Sequence, residues 1–119
     1  MAKGFCEREK EHTISMQRAK EGILSDTEAR KVCKLFALLS DANRLKIVLA
    51  LLNGDMCVYH LTEVCGGTQS AVSHQLRILR DNGIVKSKRL GQNVEYSIAD
   101  THISELVRTG VYHALVCDE

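Results

Sequence analysis

The chain closes on YSIADTHISELVRTGVYHALVCDE, Tyr96 to Glu119, which contains four residues of metal-binding types: Asp100, His102, His113 and Cys117. A carboxylate, two imidazoles and a thiol together suit a borderline divalent cation such as zinc. Helical periodicity from about Thr101 to Val116 limits how they can act together. Eleven residues bring a helix to within about 20° of three whole turns, so His102 and His113 share a face. They also stand roughly 16 Å apart along the axis, whereas zinc–ligand bonds are ~2 Å. One helix cannot place both imidazoles on one ion. Asp100 sits at the helix start, where its carboxylate either caps backbone N–H groups or coordinates. A capping aspartate with two unrelated surface histidines is the plainer alternative.

A second constellation lies in CVYH. Cys57 and His60 are three residues apart at the start of a short helix, so their side chains can converge. A helix N-terminus favours the metal-binding thiolate. An incidental, partly buried pair is the competing reading. The N-terminal stretch adds Cys6 and His12; Cys6, Cys57, His60 and His12 would make a mixed sulfur and nitrogen tetrahedron typical of zinc or cadmium, although His12 alone reads as a surface histidine.

The elements that must position these groups fit one domain. The 119 residues are 45% apolar with a formal net charge of +1, the profile of an ordered globular chain of modest core. No apolar run reaches the ~20 residues of a membrane span and nothing resembles a secretion signal, so a cytoplasmic location is expected. Five cysteines in such a setting read as reduced thiols, with Cys33 and Cys65 expected in the core. Charge is uneven. Between Gln69 and Gly91 five basic residues face one acid, a local +4 against −3 elsewhere, and a basic patch of that kind suits an anionic partner.

Residues 1–24 are expected to form a polar, mobile arm, and residues 25–119 the folded domain. Ser25 and Glu28 have capping-box spacing, followed by Val32, Leu35, Phe36 and Leu39 on one helical face. DANRLKIVLALLNG is a more uniformly apolar, buried helix stopped near Gly54. A short helix over about Val58 to Cys65 ends at Gly66-Gly67, and Thr68 caps the next, about Gln69 to Asp81. Val72, Leu76 and Leu79 form its inner stripe. Alternation around Gly91-Gln92-Asn93 marks a β-hairpin, and the C-terminal helix follows. The fold class is mainly α with one small β-hairpin.

Two helices joined by a glycine-containing turn make a helix-turn-helix, whose second helix lies in the DNA major groove. TQSAVSHQLR presents hydroxyl, amide, imidazole and guanidinium groups, so Thr68, Gln69, Ser70, Ser73, His74, Gln75 and Arg77 are candidate DNA contacts. Glutamine can pair bidentately with adenine and arginine with guanine. Lys88 and Arg89 in the hairpin can reach phosphates. His74 belongs to this set and not to the metal ligands.

From about Leu35 to Asp100, and on through the terminal helix, the chain resembles the ArsR/SmtB family of bacterial metal-sensing repressors. The motifs SDANRLKIV, SAVSHQLRILRDNGIV and GQNVEYSI carry the likeness; Ala42 stands where proline or glutamate is common in relatives. The resemblance implies a winged helix-turn-helix that dimerises through its first and last helices, binds an operator and releases it on binding inducer. Two terminal helices packed antiparallel across a twofold axis would set His102 of one chain beside His113 of the other. Family members with that site resemble Asp-x-His…His-x-x-(His or Glu); Val116 holds the last position here, and Cys117 beside it would supply sulfur instead. Relatives with the thiol-rich site have Cys-Val-Cys-Asp or Cys-Val-Gly-Asp at CVYH, with Tyr59 in the place of the second cysteine, and Cys6 aligns with an arm cysteine of the cadmium and lead sensors. The expected effector is therefore zinc, cadmium or lead, and the expected partners are operator DNA and a second copy. A thiol-redox repressor pairing Cys57 with Cys6 or Cys117 is the alternative. A hydrolytic zinc enzyme is not expected, since no HExxH-like arrangement accompanies the histidines.

Overall fold

A computed structural model describes residues 8–117, which form two units, one ending at Leu35 and the other beginning at Phe36. In the first, α1 (Glu9–Gly22) has no buried residue and carries exposed Ile14 and Met16. The stretch expected to be a polar arm is thus helical over most of its length; Cys6 lies outside the described residues. At the start of α2 (Asp26–Leu39) the capping box closes both ways. Ser25 N–H donates to Glu28 Oε1 at 3.0 Å, and Glu28 N–H donates to Ser25 Oγ at 3.1 Å. Cys33 is exposed, contrary to expectation, because no residue of α2 is buried within the single chain.

The second unit is built on α3 (Ala42–Leu51). Its N-cap Asp41 accepts from Arg44 N–H at 3.0 Å, and Ile47, Val48, Ala50 and Leu51 are buried. The two-residue strand β1 (Met56–Cys57) leads into α4 (Val58–Cys65), and the Gly66-Gly67 turn into α5 (Gln69–Asp81). The two glycines have φ of +85° and +87°, a left-handed conformation that side chains disfavour. The turn angle is a glycine property. Cys65 is only half-buried, at the rim of this turn instead of within the core.

Strands β2 (Val85–Leu90) and β3 (Asn93–Ile98) form the hairpin, with Leu90 opposite Asn93 across the Gly91-Gln92 turn and Gly91 at φ +63°. β1 adds to the free edge of β3, giving an antiparallel sheet in the order β1-β3-β2. Ile84 joins sheet to helix: its N–H donates to Leu79 O at 2.9 Å, and its carbonyl accepts from Ala99 N–H at 3.0 Å. α6 (Thr101–Leu115) follows, buried along Ile103 and Val107. Ile47, Leu61, Leu76, Leu79 and Ile84 are almost wholly buried, so α3, α4, α5 and the base of the hairpin share one core. No helix among the described residues is long and apolar enough to cross a membrane.

Leu76 is wholly buried under α5. Leu76→Ala should lower stability by ~2–5 kcal/mol, the usual cost of a cavity at such a site. Urea unfolding at fixed protein concentration reads this, and an unchanged midpoint would show that the helix is anchored elsewhere.

Candidate nucleic-acid interface and metal-ligand pairs

Thr68 caps α5, its Oγ1 accepting from Ala71 N–H at 3.1 Å. With Val72, Leu76 and Leu79 turned to the core, Gln69, Ser70, His74 and Arg77 are left exposed and Ser73 half-buried. This face carries hydroxyl, amide, imidazole and guanidinium groups, the types that bond phosphates and base edges.

Gln75 is placed differently from the groove-facing position expected of it. It is half-buried, and its Oε1 accepts from Arg44 Nη1 at 3.1 Å. At 100° per residue it falls only about 40° from Leu79 around the helix, beside the inner stripe. Arg44 is itself anchored, since Nε donates to Leu38 O at 2.9 Å. Arg44 is absent from the candidates that residue type and spacing suggest; its one signal in the sequence is a charge inside the apolar run of α3.

Lys88 and Arg89 are both exposed on β2. Successive strand residues point to opposite faces, so these two cations flank the hairpin and do not converge. Lys88 stands opposite Glu95, and Arg89 opposite Val94.

The Cys57 sulfur and His60 Nδ1 are 3.3 Å apart. Pairing of β1 with β3 fixes Cys57 opposite Glu95, and the first turn of α4 carries His60 back over it. Two ligands on a tetrahedral zinc are separated by about 3.5 Å, given Zn–S and Zn–N bonds of about 2.3 and 2.0 Å. The pair therefore fits two corners of a tetrahedron. Tyr59 sets its ring edge-on to the His60 imidazole with centroids 5.6 Å apart and supplies no thiolate.

Asp100 is the N-cap of α6. Its Oδ1 accepts from Ile103 N–H at 3.1 Å and lies 3.5 Å from Nδ1 of the exposed His102. Capping thus occupies one carboxylate oxygen and leaves the aspartate beside the imidazole. His113 lies in the last turn. Cys117, four residues after His113, lies beyond the helix. The helix ends at Leu115, and Cys117 N–H donates to Tyr112 O at 3.1 Å, five residues back, off the helical path. Among the described residues, no three His, Cys, Asp or Glu side chains are grouped closely enough to hold an ion.

Residues 41–87, from the cap of α3 to the start of the hairpin, match the family model for bacterial regulatory proteins of the arsR family. A transcriptional repressor SmtB homolog of Synechocystis sp. is 36% identical over 109 residues, covering 92% of this chain and 83% of that one. A cadmium resistance transcriptional regulatory protein CadC homolog of Staphylococcus aureus is 35% identical over 114 residues, 95% of this chain and 93% of that one. Among solved structures, the homodimeric winged helix-turn-helix DNA-binding domain of a possible ArsR-family regulator from Mycobacterium bovis superposes with a TM-score of 0.70 at 25% identity, covering 78% of this chain and 89% of that one. The recognition helix α5, the hairpin wing beside it and these likenesses agree: the chain belongs to the ArsR/SmtB family of winged helix-turn-helix transcriptional regulators, a family of regulators and not of enzymes.

Proposed function

We propose that this protein is a metal-responsive transcriptional repressor, a homodimer that holds operator DNA when metal-free and loses affinity for it on binding zinc, cadmium or lead. The exposed face of α5, with Thr68, Gln69, Ser70, Ser73, His74 and Arg77, enters the major groove, and Lys88 and Arg89 of the hairpin meet flanking phosphates. One observation carries the metal part. Ligand side chains stand in pairs on this chain, Cys57 with His60 and Asp100 with His102, each at the spacing of two coordination corners. A pair has to be completed from another segment. His113 of the partner subunit completes Asp100 and His102, with Cys117 as a further donor, and Cys6 completes Cys57 and His60.

The likeness to a protein named for cadmium resistance supports a thiophilic or borderline ion. An apolar groove of about 390 Å³ between Phe36, Leu39, Leu49, Leu106, Val111 and Leu115 supports the second copy. Leu115 is 79% exposed and Phe36 52%, and a contiguous apolar face of this kind is one that association covers. A bound ion would supply concentrated positive charge and a fixed coordination geometry. Any preference of that ion for one dimer arrangement is reciprocal: the factor by which metal lowers operator affinity equals the factor by which operator lowers metal affinity. Calorimetric titration of metal into free and DNA-bound protein tests this. Equal ratios are expected, whereas operator affinity indifferent to all three metals would sink the metal response and leave DNA binding standing.

Two further outcomes follow from the pairs. His102→Ala and His113→Ala should each weaken the same site, and a heterodimer of the two variants should regain one intact site; a verified heterodimer with none would rule out cross-chain ligation. Cadmium added to the reduced protein should give an intense thiolate-to-cadmium absorption band that Cys57→Ala markedly weakens. An undiminished band in that variant would place the sulfur ligand at Cys117 instead.

A further inference from the structure

We propose that the cleft between α3, the Gly66-Gly67 turn and α5 seats a backbone phosphate of the DNA duplex, held by the Lys46 ammonium with the side-chain amides of Gln75 and Asn43. The inference rests on the operator-binding reading above and adds a contact that neither the basic patch nor the recognition face contains.

The Arg44–Gln75 hydrogen bond decides what Gln75 can do. A guanidinium has donors and no acceptor, so the atom that Gln75 turns toward Arg44 must be its oxygen. Its amide orientation is thereby fixed, and Nε2 keeps two N–H donors with no partner among the described residues. Bidentate pairing with adenine needs one donor and one acceptor from the same amide. With the oxygen turned to Arg44 and away from the outward face, what Gln75 has left to offer there is its two N–H donors. It is no adenine reader; it needs an acceptor.

Position on the helix selects that acceptor. Ser70, His74 and Arg77 cluster on the outward side of α5, and Gln75 lies about 100–160° around the axis from them. An α-helix with its side chains is about 10–12 Å across, and the major groove is about 12 Å wide. A helix that fills the groove turns its outward face to the bases and its flanks to the sugar–phosphate walls. Gln75, set between that flank and the inner stripe at the mouth of the cleft, stands on the side of the nearer wall, where the acceptor is phosphate oxygen.

Among the described residues, the surroundings offer an anion one cation, two side-chain amides and no opposing charge. Gln75 lines a cleft of about 130 Å³ together with Asn43, Lys46, Cys65, Gly66 and Gly67. No acidic side chain among the described residues lines it. Burial pushes the Cys65 thiol up, against the lowering pull of the Lys46 charge, so the thiol stays neutral near pH 7 and leaves that charge uncancelled. Lys46 and Asn43 are both exposed at the cleft, one turn apart on α3.

The test uses the full chain and a duplex enriched by the wild-type protein from a random pool, with affinity read by fluorescence anisotropy across a salt series. Lys46→Gln should weaken binding uniformly across related duplexes and reduce the salt slope by about one per lost phosphate contact. Gln75→Glu keeps an acceptor for Arg44 but donates nothing; it should melt no lower than wild type yet bind the duplex several-fold more weakly. Neutral methylphosphonate substitution, one phosphate at a time, should reveal a step in each half-site where wild type loses affinity and Lys46→Gln loses no more. An unchanged salt slope, additive losses at every phosphate, or a loss confined to one base sequence overturns the phosphate seat alone. A wild-type protein that enriches no duplex overturns the operator-binding reading along with it.

Discussion

The rotation of α5 about its own axis is set by three side chains. Val72, Leu76 and Leu79 are buried against α3, α4 and the base of the hairpin, and at 100° per residue they decide where every other side chain of the helix points. Gln69, Ser70, His74 and Arg77 face outward because of that stripe, and Gln75 is drawn beside it. Turning the helix by one residue would carry Ser73, Arg77 and Arg80 inward and expose a leucine. Recognition chemistry is therefore a consequence of core packing, and the apolar residues are as much part of the DNA-facing surface as the polar ones they aim.

Arg44 extends that control. Its backbone N–H satisfies the Asp41 cap, its Nε reaches Leu38 O at the end of α2, and its Nη1 holds Gln75. One guanidinium thus ties the last turn of α2, the first turn of α3 and the middle of α5. A lysine has a single charged centre and no rigid fork, and would not serve three directions in fixed geometry. The end of α2 beside the apolar groove and the side chains of α5 are in this way joined through one residue. A shift of the end of α2 would be felt at Gln75.

Much of this arrangement is legible in the sequence because the signals that specify it are local. The Ser25/Glu28 capping box, the Thr68 cap, the glycines that stop α3 and α5 and the Gly91 hairpin turn all act within a few residues, so a linear reading carries them. The departures have a different origin. β1 is two residues long, too short for alternation to register, and exists only because β3 offers an edge. Cys33 reads as a core residue because α2 is amphipathic, but among the described residues no side chain of α2 is buried and Cys33 is exposed. Gln75 reads as a base contact by type; only a partner thirty-one residues away shows its oxygen is taken. Cys117 falls just beyond the helix whose face its spacing implies it shares. Helix ends are set by competition among several backbone acceptors, and spacing alone does not resolve that.

The paired ligands bear on why a sensor would be built this way. A complete tetrahedron within one rigid unit would bind metal equally well in every arrangement of the dimer, and a ligand with equal affinity for two states shifts neither. Half-sites remove that indifference. Cys57 and His60 are fixed by the strand pairing of β1 and the start of α4, and Asp100 and His102 by the cap of α6, so each pair is preorganised while its completion is not. In the proposed reading, metal affinity would then depend on whether the completing segment is within reach, and so on the arrangement of chains that DNA would also select. The capping bond of Asp100 would sharpen this dependence: a carboxylate already holding the helix start stands in one orientation, and under the proposed reading a partner's imidazole would have to come to it.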